Sequence, residues 1–155
     1  MKKEIKALVG YKLQKARKAK EKAEINPDNG EKINIKDYAG VWMARLAEDE
    51  RKRLRLFHKT RESAEKAARI LVEEFCADRV YLFGSLLTED SFSEFSDVDI
   101  VVSGLKIEKY FKALSAIWTL FPKEIRGIDL IPLEDADEYL RYRVLAEGII
   151  LYDKK

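Results

Sequence analysis

Cysteine is almost missing from this chain. Cys76 is the single thiol in 155 residues, which excludes an internal disulfide and a metal centre built on thiolates. Such a lone cysteine at the apolar end of a helix is expected to be a small core residue. Histidine also occurs once, as His58 in a charged helical run, where a surface position is expected. Without a second histidine or a neighbouring Ser–Asp pair, a hydrolytic triad has no support. With three prolines and seven glycines, the chain carries no low-complexity tract, and no internal repeat is visible. No apolar run approaches the ~20 residues that span a bilayer. The basic N-terminus lacks an apolar stretch followed by a small-residue cleavage site, so no signal peptide is read and a cytoplasmic protein is expected.

What is present fits a folded protein. Hydrophobic residues make up 46% and charged residues 37% of the chain, enough for one domain with a real core or a small domain plus an appendage. The net charge of +2 hides an asymmetry. Residues 1–70 hold 20 Lys and Arg against 11 Asp and Glu, whereas residues 71–155 hold 10 against 17. A basic first half suits nucleic acid, nucleotide phosphates or an acidic partner. Its cations are interleaved with acids rather than massed, which favours ordinary solvated helix faces.

The spacing of Ile5, Leu8, Val9, Leu13 and Ala16 predicts a helix over 2–24 with a thin apolar stripe. Asn26-Pro27-Asp28-Asn29-Gly30 is a turn, and Ile33 and Ile35 permit a short extended segment. Asp37 is a candidate cap for a helix through Val41, Trp42, Leu46, Leu54 and Phe57. That helix either breaks at 58–60, with Thr60 as a new N-cap, or runs unbroken to Phe75, since neither Pro nor Gly interrupts it. An N-terminal helical extension over 1–58 and a domain over 59–155 are expected. After Gly104, a strongly amphipathic helix with core aromatics is predicted from Ile107 to Phe121, and a last helix from Glu134 to Glu147, with Leu140, Val144 and Leu145 inward and Gly148 as its C′ residue. Ile149–Tyr152 are a short apolar ending that adds a strand or packs on the sheet.

The informative stretch is Arg79–Gly104. Val80-Tyr81-Leu82-Phe83 has the length and composition of a buried strand, and Gly84-Ser85 breaks it. After a polar loop, a second strand opens with Asp97-Val98-Asp99. Residues i and i+2 of a strand share a face, so these carboxylates project side by side. They repel each other unless a cation or a proton lies between them, and a hard divalent cation prefers such oxygen ligands. A third acid, Asp129, interrupts the apolar run Ile128-Asp129-Leu130-Ile131. If these strands are neighbours, Asp97, Asp99 and Asp129 supply the three carboxylates that a two-metal phosphoryl-transfer site needs. Gly84 lets a phosphate approach the backbone, Ser85 offers a hydroxyl, and the turn behind them is expected to open an anion-favouring helix. Each piece has a plainer reading. Asp97 alone is a strand-entry cap, Gly-Ser alone is an ordinary turn, and Asp129 alone sits on a solvated sheet face.

Gly84-Ser85, eleven intervening residues, and Asp97-x-Asp99 at the head of a strand resemble the signature of the minimal nucleotidyltransferases, within the DNA polymerase β-like superfamily. The resemblance runs from about Ala64 to Tyr152 and includes Gly127–Ile131 and the ending Leu145–Tyr152. It implies an α+β fold: a small mixed sheet with flanking helices, here preceded by a helical segment. It also implies Mg²⁺, two ions, on Asp97, Asp99 and Asp129, with the nucleoside triphosphate at Gly84 and Ser85. Asp129 would help deprotonate the acceptor. The implied activity is transfer of AMP from ATP to a hydroxyl, such as a tyrosine of a HEPN-type toxin to which this chain is the antitoxin. RNA is a weaker candidate partner, and a small-molecule acceptor is disfavoured by the chain's size. The alternative is a noncatalytic binding partner that keeps the fold. The chain departs from many relatives at Leu86–Asp90, where it carries Glu89 and Asp90 instead of small and basic residues. Lys106 and Arg126 are candidate substitutes for the missing phosphate contacts.

Overall fold

The computed structural model of the chain describes residues 35–154. The expected helix over 2–24, the turn at 26–30 and the segment at Ile33 lie outside the described residues. Two compact units are distinguished, Met1–Ala47 and Glu48–Lys155. Among the described residues no helix is long and apolar enough to cross a membrane.

A single helix, α1, spans Ile35–Glu73, so the unbroken alternative is the one realised and Asp37 falls inside the helix rather than capping it. Thr60 starts no new helix: its hydroxyl donates to the Leu56 carbonyl at 2.7 Å, a helix-interior bond one turn back. Phe57, Thr60, Ala64, Ala67, Ala68 and Leu71 form a buried stripe at helical spacing. Its three alanines are buried in the same core cluster as the strands. Val41, Trp42 and Leu46, nearer the start of the helix, are exposed instead. The 58/59 boundary expected between two domains thus falls within α1, one residue beyond buried Phe57.

Beyond α1, the chain forms β1 (Arg79–Phe83), a one-turn 3₁₀ helix (Gly84–Leu87) and β2 (Val98–Ser103). Next come α2 (Tyr110–Trp118), β3 (Ile128–Pro132), α3 (Glu138–Glu147) and β4 (Ile149–Asp153). The sheet order is β3-β2-β1-β4, with β1 antiparallel to both β2 and β4, and β2 parallel to β3. This is the mixed α+β architecture expected, and the apolar ending becomes an edge strand. Pro132, expected just beyond β3, closes it; on an edge strand its missing N–H leaves no ladder bond unmade.

Strand alternation divides the apolar residues between two faces. Val80, Leu82, Val98, Ile100, Val102, Ile128 and Leu130 pack with the α1 stripe and with Ala113 and Ile117 of α2. Burial of each large side chain contributes roughly 1.5–3 kcal/mol. Tyr81, Phe83 and Val101 face the other way and pack with Val144 of α3. Ser63, buried in the first cluster, is satisfied by donating to the Leu120 carbonyl at 2.8 Å.

Several local expectations are corrected. Ile107, Phe111 and Trp118 are 67%, 80% and 50% exposed, so the amphipathic helix buries only a narrow stripe. Leu145 is exposed as well. The last helix begins at Glu138 instead of 134, because the Asp137 side chain caps it by accepting from Leu140 N–H at 2.7 Å. Gly148 follows it with an extended backbone, not the left-handed C′ conformation. Cys76 is exposed, not core, and its φ of 63° makes it a left-handed turn residue that ends α1. Its N–H donates to the Val72 carbonyl at 3.2 Å.

Candidate active site

The carboxylates lie where β2 and β3 begin. These strands are immediate neighbours, and Asp99 stands opposite Asp129 in their parallel register. Paired residues in a ladder share a face, so these two side chains project together beside Tyr81, Phe83 and Val101. Asp97 precedes β2 by one residue, and the adjacent Val98 N–H donates to the Gly127 carbonyl at 3.0 Å. A Cβ on Gly127 would stand 2.9 Å from Asp97 Oδ1, so the absence of a side chain there leaves space for that carboxylate. The three expected acids are thus brought to one end of one sheet face.

Gly84 lies beside them. Phe83 pairs with Asp99 across β1 and β2, and Gly84 continues from it with a φ of +74°. Any side chain at Gly84 would collide with Asp99 Oδ2. The backbone conformation therefore favours glycine, and a Cβ here would also push the Asp99 carboxylate aside. The Ser85 hydroxyl faces the Asp97 carbonyl at 3.5 Å, a long contact that links the turn to the start of β2. The expected helix behind this pair is only the one turn Gly84–Leu87, too short to act as an anion-binding terminus.

Electrostatically, the cluster is frustrated. Asp99 is partly buried while Asp97 and Asp129 are exposed. Burial first, then the charges of Asp129 and Asp97, push the Asp99 carboxyl up from 3.8 to about 6. All three influences disfavour its charged form. A cation placed among the carboxylates would reverse the two charge effects. Among the described residues, no three acidic, histidine or cysteine side chains are already gathered as a finished metal centre. The donors nevertheless fit a hard cation: all are carboxylate oxygens on one face, with a glycine cradle beneath Asp99. Asp97, Asp99 and Asp129 are the residues that would hold it.

Glu89, one of the two acids expected to repel a triphosphate, is turned toward α1. Glu89 lies 3.5 Å from His58 Nε2. Arg53 is held above its usual basicity by its hydrogen bond to Glu50 first, with Asp90 and Glu89 adding to the effect. The Arg53 guanidinium also donates to the Glu89 and Phe92 carbonyls, the latter at 2.9 Å, and Arg61 donates to the Leu87 carbonyl at 3.3 Å. Phe92 packs edge-on against Phe57, 5.6 Å between ring centres. The loop between Gly84-Ser85 and Asp97 is therefore fastened to the helix. Sequence patterning missed these arginines, since their partners are backbone groups 26 to 39 residues away. Lys106 follows the far end of β2 and is remote from the carboxylates, whereas Arg126 directly precedes Gly127 at the carboxylate end.

A family model described as polymerase beta, nucleotidyltransferase, matches residues 65–155, more than half of the chain. Two crystal structures are similar to parts of this chain. One, of a toxin–antitoxin with AMP-PNP, is 22% identical, with a TM-score of 0.47, covering 59% of this chain and 74% of that chain. The other, of the toxin–antitoxin MntA-HepT, is 21% identical, with a TM-score of 0.45, covering 60% and 72%. No curated protein matches the chain. The family match, spanning the glycine turn, both carboxylate strands and the closing edge strand, establishes that this chain belongs to the polymerase β nucleotidyltransferase family.

Proposed function

We propose that the chain is a Mg²⁺-dependent nucleotidyltransferase that moves AMP from ATP onto a hydroxyl, with a tyrosine of a HEPN-type partner as acceptor and an antitoxin role for this chain. One observation carries the reading: Asp99 and Asp129 stand in register on adjacent strands, with Asp97 beside them and Gly84 against Asp99. The partner class follows the resemblance to minimal nucleotidyltransferases.

Magnesium held by Asp97, Asp99 and Asp129 would neutralise the triphosphate and the pyrophosphate leaving group. The chain's own residues do the rest. Gly84 admits the phosphates to the backbone, and Ser85 offers its hydroxyl to them. Asp129, exposed at the end of the face, receives the proton of the acceptor hydroxyl. The acceptor oxygen forms a bond to the α-phosphorus as the bond from that phosphorus to pyrophosphate breaks. Positioning and charge neutralisation supply most of the catalysis in such transfers.

The test is transfer of label from α-³²P-ATP to a co-expressed helical partner, or to the chain itself. Label is expected with the wild type and none with Asp97→Ala/Asp99→Ala. Undiminished labelling by the double variant would remove the carboxylates from the mechanism. Nucleotide-independent binding of the partner without labelling would favour the noncatalytic alternative.

A further inference from the structure

A bound nucleotide adds phosphate charge to a face that already carries three carboxylates, so counter-charge from the chain itself is needed. The loop after Gly84-Ser85 supplies none, since residues 86–96 contain no Lys or Arg. One guanidinium stands over the face that carries Asp99, reaching it from another element. Arg143, on α3, lies with Cζ 5.2 Å from the centre of the Phe83 ring and 6.0 Å from that of Tyr139. Phe83 is the β-ladder partner of Asp99 and the residue before Gly84, so the ring under this cation lies between the two halves of the site. Glu147 holds it in a two-point grip, accepting from Nε at 3.1 Å and from Nη2 at 2.6 Å. Among the described residues no hydrogen bond from Nη1 meets bonding geometry, and the nearby Tyr139 hydroxyl adds to Glu147 in favouring the charged guanidinium.

We propose that Arg143 is a phosphate-binding residue of the nucleotide site, its Nη1 edge donating to the β- or γ-phosphate. The assignment rests on the nucleotidyltransferase reading above. A guanidinium suits the role because its planar fork matches phosphate oxygens, and because the Phe83 ring beneath it limits its orientation before the ligand arrives. Arg143 thus takes the place of the basic residue that the Leu86–Asp90 loop lacks. The pairing with Glu147 is open to solvent, so its loss alone is a minor perturbation.

Calorimetric titration of the full chain with ATP and with AMP, each in the presence of Mg²⁺, tests the assignment. Arg143→Ala should weaken ATP binding on the order of tenfold to a hundredfold while changing AMP binding by less than about threefold. Glu147→Gln, which loses the ion pair but keeps the guanidinium, should stay within about threefold of wild type for both ligands. Thermal melting of each variant verifies that the fold is retained. Unchanged ATP affinity in Arg143→Ala would overturn the assignment, as would equal losses for ATP and AMP. A Glu147→Gln variant as weak as Arg143→Ala would reduce Arg143 to a structural ion pair and overturn it too. A wild-type chain that binds no ATP would refute the nucleotidyltransferase reading itself, and the assignment with it.

Discussion

The two faces of the sheet come from the same strands, one residue out of phase, and are opposite in character. Toward α1 and α2, β2 presents Val98, Ile100 and Val102, all fully buried. Toward α3 it presents Asp99 and Val101, and only Val101 is fully buried. The α3 face is thus divided along its length. The ten residues of α3 cover Tyr81, Phe83 and Val101, while Asp97 and Asp129 stay exposed at the open end. Stability is placed on the fully covered face, and the repulsive carboxylates lie where the short helix leaves the sheet open to solvent. Such division lets one small sheet carry a core and a destabilising site together.

The largest expected change breaks the covered face. Leu82→Ala, at a fully buried position, should lower unfolding free energy by roughly 3 kcal/mol in a denaturant titration, within the 2–5 kcal/mol range of such truncations. Nucleotide affinity per folded molecule should be retained. A loss below 1 kcal/mol would show that this face is not where the stability resides.

The next test sharpens the contrast from the other side. Folded Asp99 keeps its proton up to about pH 6, whereas an unfolded aspartate releases it near 3.8. Deprotonation therefore favours the unfolded chain. The contribution of Asp99 to stability is intact below about pH 4 and is lost as pH rises through 6. In metal-free buffer, Asp99→Asn should stabilise the protein by roughly 2–3 kcal/mol at pH 8 and by little at pH 4. Added Mg²⁺ should narrow that gap by stabilising the wild type alone. A pH-independent difference would contradict the frustrated cluster.

A substitution that touches neither face supplies the smallest effect and the baseline. Cys76 occupies a left-handed conformation at the end of α1. Cys76→Gly should raise stability by about 0.5–1 kcal/mol at all pH values, because glycine adopts that conformation without strain. A destabilisation would show that the turn depends on the side chain.

Much of this arrangement was legible in the residues. The Asp97-Val98-Asp99 spacing at the head of an apolar run put two carboxylates on one face of a strand, and the isolated Asp129 in a second apolar run supplied a third if the strands were neighbours. Gly84 announced a special backbone, although the reason, the Asp99 carboxylate against it, needed the fold. Other features were hidden because their cause is long-range. Nothing local distinguishes Arg53 from the other cations of α1, yet it holds a loop 36 to 39 residues away. Arg143 and Glu147 read only as an ordinary i, i+4 pair. The helical spacing of Ile107, Phe111 and Trp118 signalled a core stripe wider than the one α2 buries, since periodicity gives a face but not the extent of the surface that meets it.

The central claim is that Asp97, Asp99 and Asp129 grip a divalent cation that carries a nucleotide. Calorimetric titration with ATP in the presence and absence of Mg²⁺, on the wild type and on Asp97→Ala/Asp99→Ala, measures it directly. Magnesium-dependent ATP binding by the wild type, abolished in the double variant, is the predicted result. Equal binding by both proteins, or binding indifferent to magnesium, would contradict it.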